Sequence, residues 1–251
     1  MKNLIVICML VLGVANITKA NIMTVNDDFD NGVLEPNWSV SFVNSTGWSY
    51  AESGTNLTVT SINPTVINSS SGGTWATVIL SQTFSPLTDF DVDFDFSWIS
   101  TGSLLPMERV GIHLYDSVGV QIAEAQYGDY WAMWRGEKRA IAGGNSFSSG
   151  SNTMPYDGTA SVDISRVGNS INVLWDGSNL VSGTSSTALS RVDLEFNYYA
   201  YNGIYGLSFF DSESIDLVRI QGQVVPVPSA VILSILGLVT AGVKLRKRNE
   251  A

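Results

Sequence analysis

Residues 89–98 read DFDVDFDFSW. Phe90, Val92, Phe94, Phe96 and Trp98 alternate with Asp89, Asp91, Asp93 and Asp95, and a period of two puts each set on its own side of a strand. Asp is a poor strand former. A run of them is tolerated only where the opposite side is firmly packed and the acidic side meets water. A strand buried on one side belongs to an antiparallel sheet in a two-layer structure.

Working outward, the same period recurs. Residues 109–115 (RVGIHLY) and 120–126 (VQIAEAQ) flank Asp116-Ser-Val-Gly119, a hairpin turn. Residues 160–165 and 170–175 flank Arg166-Val-Gly168-Asn169, and the second of these runs ends at Asp176-Gly177. Gly and Asp-Gly pairs supply the positive φ that such turns need. Residues 56–60, 75–82, 192–198, 206–210 and 214–220 complete the strand pattern, and no stretch shows three turns of helical periodicity. The absence of a blade repeat excludes a propeller. The expectation is one all-β domain over residues 21–223, an antiparallel β-sandwich or jelly roll.

The two ends differ from this body. Residues 1–20, MKNLIVICMLVLGVANITKA, place one Lys before an apolar run and close on Ala20, the layout of a secretory signal peptide removed by signal peptidase. The single Cys, Cys8, lies inside it, so the body has no disulfide. Residues 224–243 carry no charge, long enough for a short transmembrane helix, and Lys244, Arg246, Lys247 and Arg248 follow as a cationic stop. Pro226-Val-Pro228, an apolar segment and a terminal basic cluster resemble the PEP-CTERM sorting signal of Gram-negative bacteria, with Val227 where that motif has Glu. The resemblance implies an exosortase-like processing enzyme, transient membrane anchoring through residues 224–251, and display or release outside the cell.

Between these ends, 7 bases face 22 acids, a formal charge of −15 against −10 for the whole chain. Such a body is no binder of nucleic acid through phosphate neutralisation. Its opening DDFDNG (27–32), Trp38, GNSINVLWDG (168–177) and SIDLVRI (214–220) resemble concanavalin A-like lectin and glucanase domains, laminin-G-like modules among them. That resemblance implies a sandwich with its ligand on one sheet and the loops at its rim, with Ca²⁺ common.

Three clusters invite a functional reading. Asp27, Asp28 and Asp30, with Asp216 if the first and last strands adjoin, offer the oxygen ligands a structural Ca²⁺ needs; a solvated acidic surface is the alternative. Residues 126–139 (QYGDYWAMWRGEKR) set Tyr127, Tyr130, Trp131 and Trp134 beside Arg135. Flat aromatic rings stack on sugars and a guanidinium bonds hydroxyls, although aromatics also plug cores. Residues 198–205 (YYAYNGIY) read as a second wall or as an ordinary Tyr-rich strand pair.

Catalysis finds less support. Glucanases of the resembled fold carry Glu-x-Asp-x-x-Glu on one strand, and that pattern is missing. Asp193 and Glu195 share one side of a strand, as do Asp93 and Asp95, but alternation alone produces such pairs. His113, the single His, reads as structural. The expectation is therefore an exported surface or matrix protein that binds extracellular polysaccharide or another matrix polymer without catalysis. A purely structural matrix component and a polysaccharide hydrolase or lyase are the alternatives.

Overall fold

The computed structural model describes residues 21–43, 48–53, 56–61, 74–99, 107–128, 136–150, 157–200 and 213–224. In chain order its strands are β1 (Asn21–Asp27), β2 (Ser39–Val43), β3 (Trp48–Ser53), β4 (Asn56–Ser61), β5 (Thr74–Ile99), β6 (Met107–Tyr115) and β7 (Gln121–Gly128). Then follow β8 (Glu137–Ala142), β9 (Asn145–Ser148), β10 (Asp157–Val167), β11 (Ser170–Trp175), β12 (Ser178–Thr184), β13 (Leu189–Ala200) and β14 (Glu213–Val224). Every pairing among them is antiparallel.

β5 decides the architecture. It runs for 26 residues and belongs to both layers. Up to Thr83 it lies between β2 and β13; beyond Leu87 it lies between β14 and β10. The passage falls at Phe84-Ser85-Pro86, where proline has no N–H to give to a ladder. The sequence pattern separates residues 75–82 from 89–98, and the structure joins them into one strand turning a corner. The larger sheet thus has the order β2-β5-β13-β6-β7-β8-β9, the other β1-β14-β5-β10-β11-β12, with the β3–β4 hairpin attached through β4 to β14.

The alternating side chains meet between the layers. Phe94, Phe96 and Trp98 of β5 are buried, with Phe96 stacked on Phe94 at 5.1 Å and edge-on to Trp175 at 5.2 Å. Tyr127 from the larger sheet stacks on Trp98 at 4.6 Å, so one aromatic column spans both layers. Burial of each such ring contributes about 1.5–3 kcal/mol.

The anticipated hairpins form for the expected reasons. Asp116 Oδ1 accepts from the N–H groups of Val118 and Val120 at 3.0 and 2.8 Å, and Gly119 adopts φ 84°. Asp176 and Gly177, at φ 49° and 73°, join β11 to β12 in the two-residue turn that matches strand twist. Strands β1, β2, β3, β8, β9 and β12 are additions to the sequence reading. Val224, assigned from sequence to the C-terminal segment, is the last residue of β14 and pairs with Leu87. Residues 1–20 and 225–251, which carry the export and sorting expectations, lie outside the described residues, as do 201–212, with most of the second Tyr-rich cluster.

Candidate functional site

The outward side of the larger sheet carries the chemistry. Its register aligns Glu124 of β7, His113 of β6, Asp193 of β13 and Ser81 of β5 in one row. The next row holds Gln126, Gly111, Glu195 and Ile79, and the one after it Gly128, Arg109, Asn197 and Thr77. The flanking residues Val110, Ile112, Leu114, Val192, Leu194 and Phe196 all point into the core. Alternation then forces the polar set to the other side.

These side chains point outward yet see little solvent. Exposure is 10% for His113, 8% for Glu124, 15% for Glu195 and 7% for Asp193. Three carboxyls and one imidazole so desolvated on adjacent strands are costly unless bonded, and most of their polar atoms are bonded, although His113 Nε2 and Asp193 Oδ1 have no hydrogen-bond partner among the described residues. Glu124 accepts from Gln121 Nε2 at Oε2 (2.6 Å) and from Gln126 Nε2 at Oε1 (2.5 Å). His113 stands between two carboxyls, its Nδ1 3.5 Å from Glu124 Oε2 and its Nε2 3.6 Å from Glu195 Oε2. Asn197 Nδ2 donates to the same Glu195 Oε2 at 3.2 Å, and Thr77 Oγ1 donates to Asn197 Oδ1 at 2.7 Å. Asp193 pairs with Arg191 at 3.1 Å, whose guanidinium lies 4.2 Å over the ring of Tyr115.

Burial shifts two groups on this face, Asp193 and Tyr115. It pushes the Asp193 carboxyl above its ordinary range, against the hydroxyl of Ser81 and the charge of Arg191, which favour the anion. Tyr115 is pushed up to about 12, chiefly by burial and next by the charges of Glu195 and Asp193. Gly111 lets β7 pack closely against β6 beside Glu195: a Cβ there would stand 2.5 Å from Gln126 Cβ and 2.7 Å from the carbonyl oxygen of Ala125.

The residues singled out from sequence fall elsewhere. Tyr127 is turned inward, 1% exposed and stacked on Trp98, so it is a core aromatic and presents no face to a ligand. Strand parity explains this, since Gln126 on one side of Tyr127 faces outward. Tyr130, Trp131, Trp134 and Arg135 lie outside the described residues, between β7 and β8. Asp27 is buried and fully engaged: Oδ1 accepts from the Phe29 N–H at 3.0 Å and Oδ2 from the Trp38 indole at 2.8 Å. The opening DDFDNG and Trp38 thereby close a turn around Phe29, which takes φ 51°. Asp28 and Asp30 are exposed and crowd each other, which raises the Asp30 carboxyl, whereas Asp216 has Asp95 as its charged neighbour. The four acids do not meet at one point. Among the described residues no three His, Cys, Asp or Glu side chains are set to hold a metal ion.

His113, read from sequence as structural, and Glu124, which was not singled out, are the residues that the register adds to this face. The signal was present in RVGIHLY, whose inward Val110, Ile112 and Leu114 leave Arg109, Gly111, His113 and Tyr115 on a shared outward side. What alternation cannot supply is the register that sets Glu124 and Glu195 on either side of the imidazole.

No protein-family model matches the sequence, and no curated protein matches it. Solved structures do match in fold. The CBM2 module of the evolved Dit protein of Lactobacillus casei BL23 phage J-1 superposes with a TM-score of 0.56 at 11% identity, over 84% of this chain and 100% of that one. SCLam, a non-specific endo-β-1,3(4)-glucanase from family GH16, gives 0.56 at 11% identity over 82% of this chain and 92% of its own. The endo-β-1,3-glucanase of Pyrococcus furiosus gives 0.55 at 11% identity over 83% and 97%. The fold is the antiparallel, concanavalin A-like β-sandwich expected from the sequence. The leaning against catalysis is corrected, because glycoside hydrolases recur among the solved structures that superpose on this chain.

Proposed function

We propose that the protein is a polysaccharide hydrolase whose reacting groups are Asp193 and Glu195 on the outward side of the larger sheet. The observation that carries the reading is their burial on an outward-facing strand, at 7% and 15% exposure, with His113 and Glu124 packed against them. The hydrolase names of fold neighbours support it.

Hydrolysis of a glycosidic bond uses two carboxyl groups, one to protonate the leaving oxygen and one to attack the anomeric carbon or activate water. The two roles require different environments. Burial holds the Asp193 proton into a higher pH range, which suits the acid. Glu195 accepts an amide N–H from Asn197 at 3.2 Å, which suits the carboxylate. Residues two apart on a strand lie about 7 Å apart along it, a span that accommodates a sugar linkage. Tyr130, Trp131, Trp134 and Arg135, in the connection from β7 to β8, are proposed to contact the glycan through ring stacking and hydroxyl bonds.

The proposal extends to location. Residues 1–20 act as an export signal and residues 225–251 as a sorting segment, so the substrate is an extracellular polysaccharide. The deciding experiment incubates the purified protein with soluble β-1,3- and β-1,3(4)-glucans and measures reducing ends, with Glu195→Gln as control. Release by wild type and none by the variant supports the reading; equal release by both, or none by wild type across a broad polysaccharide panel, overturns it.

A further inference from the structure

We infer that His113 is the positioning residue of this face: anchored by Glu124, it aims an N–H at Glu195 Oε2 and leaves Oε1 as the oxygen presented to substrate. The inference rests on the assignment of Glu195 to the reacting pair.

The hydrogen bonds around the imidazole lead to this conclusion. A neutral imidazole has one donor and one acceptor nitrogen, and the groups around it choose between them. Gln121 Nε2 carries two hydrogens and stands 2.6 Å from Glu124 Oε2 and 3.3 Å from His113 Nδ1. One N–H serves each, so Nδ1 is the acceptor and the proton sits on Nε2. Protonation of the ring gives Nδ1 a hydrogen too, which turns to Glu124 Oε2 at 3.5 Å. In both states Nε2–H faces Glu195 Oε2, 3.6 Å away, and Nε2 has no hydrogen-bond partner among the described residues. That distance is a contact a small rotation closes; hydrogen bonds of this kind tighten once substrate is bound.

Glu195 is held from a second direction. Asn197 donates to Oε2 at 3.2 Å, and Thr77, by donating to the Asn197 carbonyl oxygen at 2.7 Å, fixes which end of that amide faces Glu195. Asn197 of β13 thus bonds one oxygen of the carboxyl, the imidazole of β6 faces that same oxygen from 3.6 Å, and among the described residues no hydrogen bond engages the other oxygen. Gly111 permits the close approach of β7: in the row Gln126–Gly111–Glu195 the Cβ of Gln126 and the carbonyl oxygen of Ala125 fill the space that a side chain at the middle position would need. Glu124 is thus an anchor, both its oxygens occupied by Gln126 and Gln121, and it acts on Glu195 only through the imidazole.

The test compares wild type with His113→Gln, which keeps an N–H near the Nε2 position, and His113→Phe, which keeps the ring and removes it. Kinetics are measured on soluble β-1,3(4)-glucan, with thermal melts of each protein. His113→Phe is expected to lower kcat roughly 10- to 100-fold while KM changes by less than about threefold, and His113→Gln to recover most of that loss. Full kcat in a folded His113→Phe, or a folded His113→Gln no better than Phe, overturns the inference and leaves the hydrolase reading standing. An activity-free readout separates the two claims. The ¹⁵N resonances of His113 are expected to report a proton on Nε2 and to shift when Glu195 becomes Gln. A proton on Nδ1 alone, or no response to Glu195→Gln, overturns the inference whether or not any glycan is cleaved.

Discussion

The molecule has two outer faces built on the same alternation, and they differ in what the neighbouring strands add. On the face of β5 and β10, Asp91 is exposed and Asp93 is 40% exposed, with Arg219, equally exposed, 3.7 Å away. Asp163 of β10 stands opposite Asp93, acid against acid, and its carboxyl is raised by burial and by Asp93, Asp95 and Asp91. On the face of β13, β6 and β7 the acids are interleaved with His113, Arg191, Gln121, Gln126 and Asn197, and scarcely any is exposed. Water screens Asp91 and Asp93 in the first set, and side chains solvate the second. A strand with alternating acids is therefore uninformative until its cross-strand partners are known.

The sharpest way to break the contrast is paired neutralisation. Glu195→Gln is expected to lower kcat/KM on β-glucan by roughly 10³-fold, within the range for a positioned acid–base or nucleophilic group. Asp93→Asn, the matching change on the acidic face, should stay within about twofold, since changes on an open surface remain near ±0.5 kcal/mol. Comparable losses in a reducing-end assay would erase the distinction. Next in size, Trp131→Ala should raise KM about 3- to 10-fold with kcat little changed, the loss of one ring stacked on sugar. A KM that stays at the wild-type value would detach the β7–β8 connection from the polar face.

A stability experiment sharpens the contrast without substrate. The Asp193 carboxyl has a raised value in the folded state, so its contribution to stability is present below the ordinary carboxylate range and is lost as pH rises through the raised value. Asp193→Asn removes that loss. The variant should melt higher than wild type at neutral pH, and the two curves should converge in acid. A variant that melts lower at every pH would show that the Arg191 pair outweighs burial. The smallest effect belongs to the acidic face: Asp163→Asn should stabilise by about 0.5 kcal/mol by removing like charges directly opposed across strands, and added salt should shrink that gain. Denaturant titration at two ionic strengths measures it.

Most of the architecture is written in local pattern. DFDVDFDFSW, the Asp-Gly turn after Trp175 and the Asp116 turn all follow from side-chain parity and from residues that accept positive φ. The corner in β5 is not, because Pro86 breaks a ladder without saying whether the strand stops or changes sheets. The site was half legible. Asp193 and Glu195 share a side by parity alone, but their burial depends on His113 and Glu124, some 70 to 80 positions earlier in the chain. Conversely, the density of aromatics after Gln126 drew attention to Tyr127, whose parity already pointed inward.

The pairing of the first strand with the last has a consequence for the order of synthesis. β1, at residues 21–27, has β14, at residues 213–224, as its one sheet neighbour among the described residues, and the second half of β5 is bordered on one side by that same late strand. A growing chain can close the hairpins of β6–β7 and β10–β11 as they emerge, but the sheet holding β1 stays unfinished until residue 213 and beyond have been made. Everything from β1 to β13 must therefore leave the ribosome before that sheet can shut.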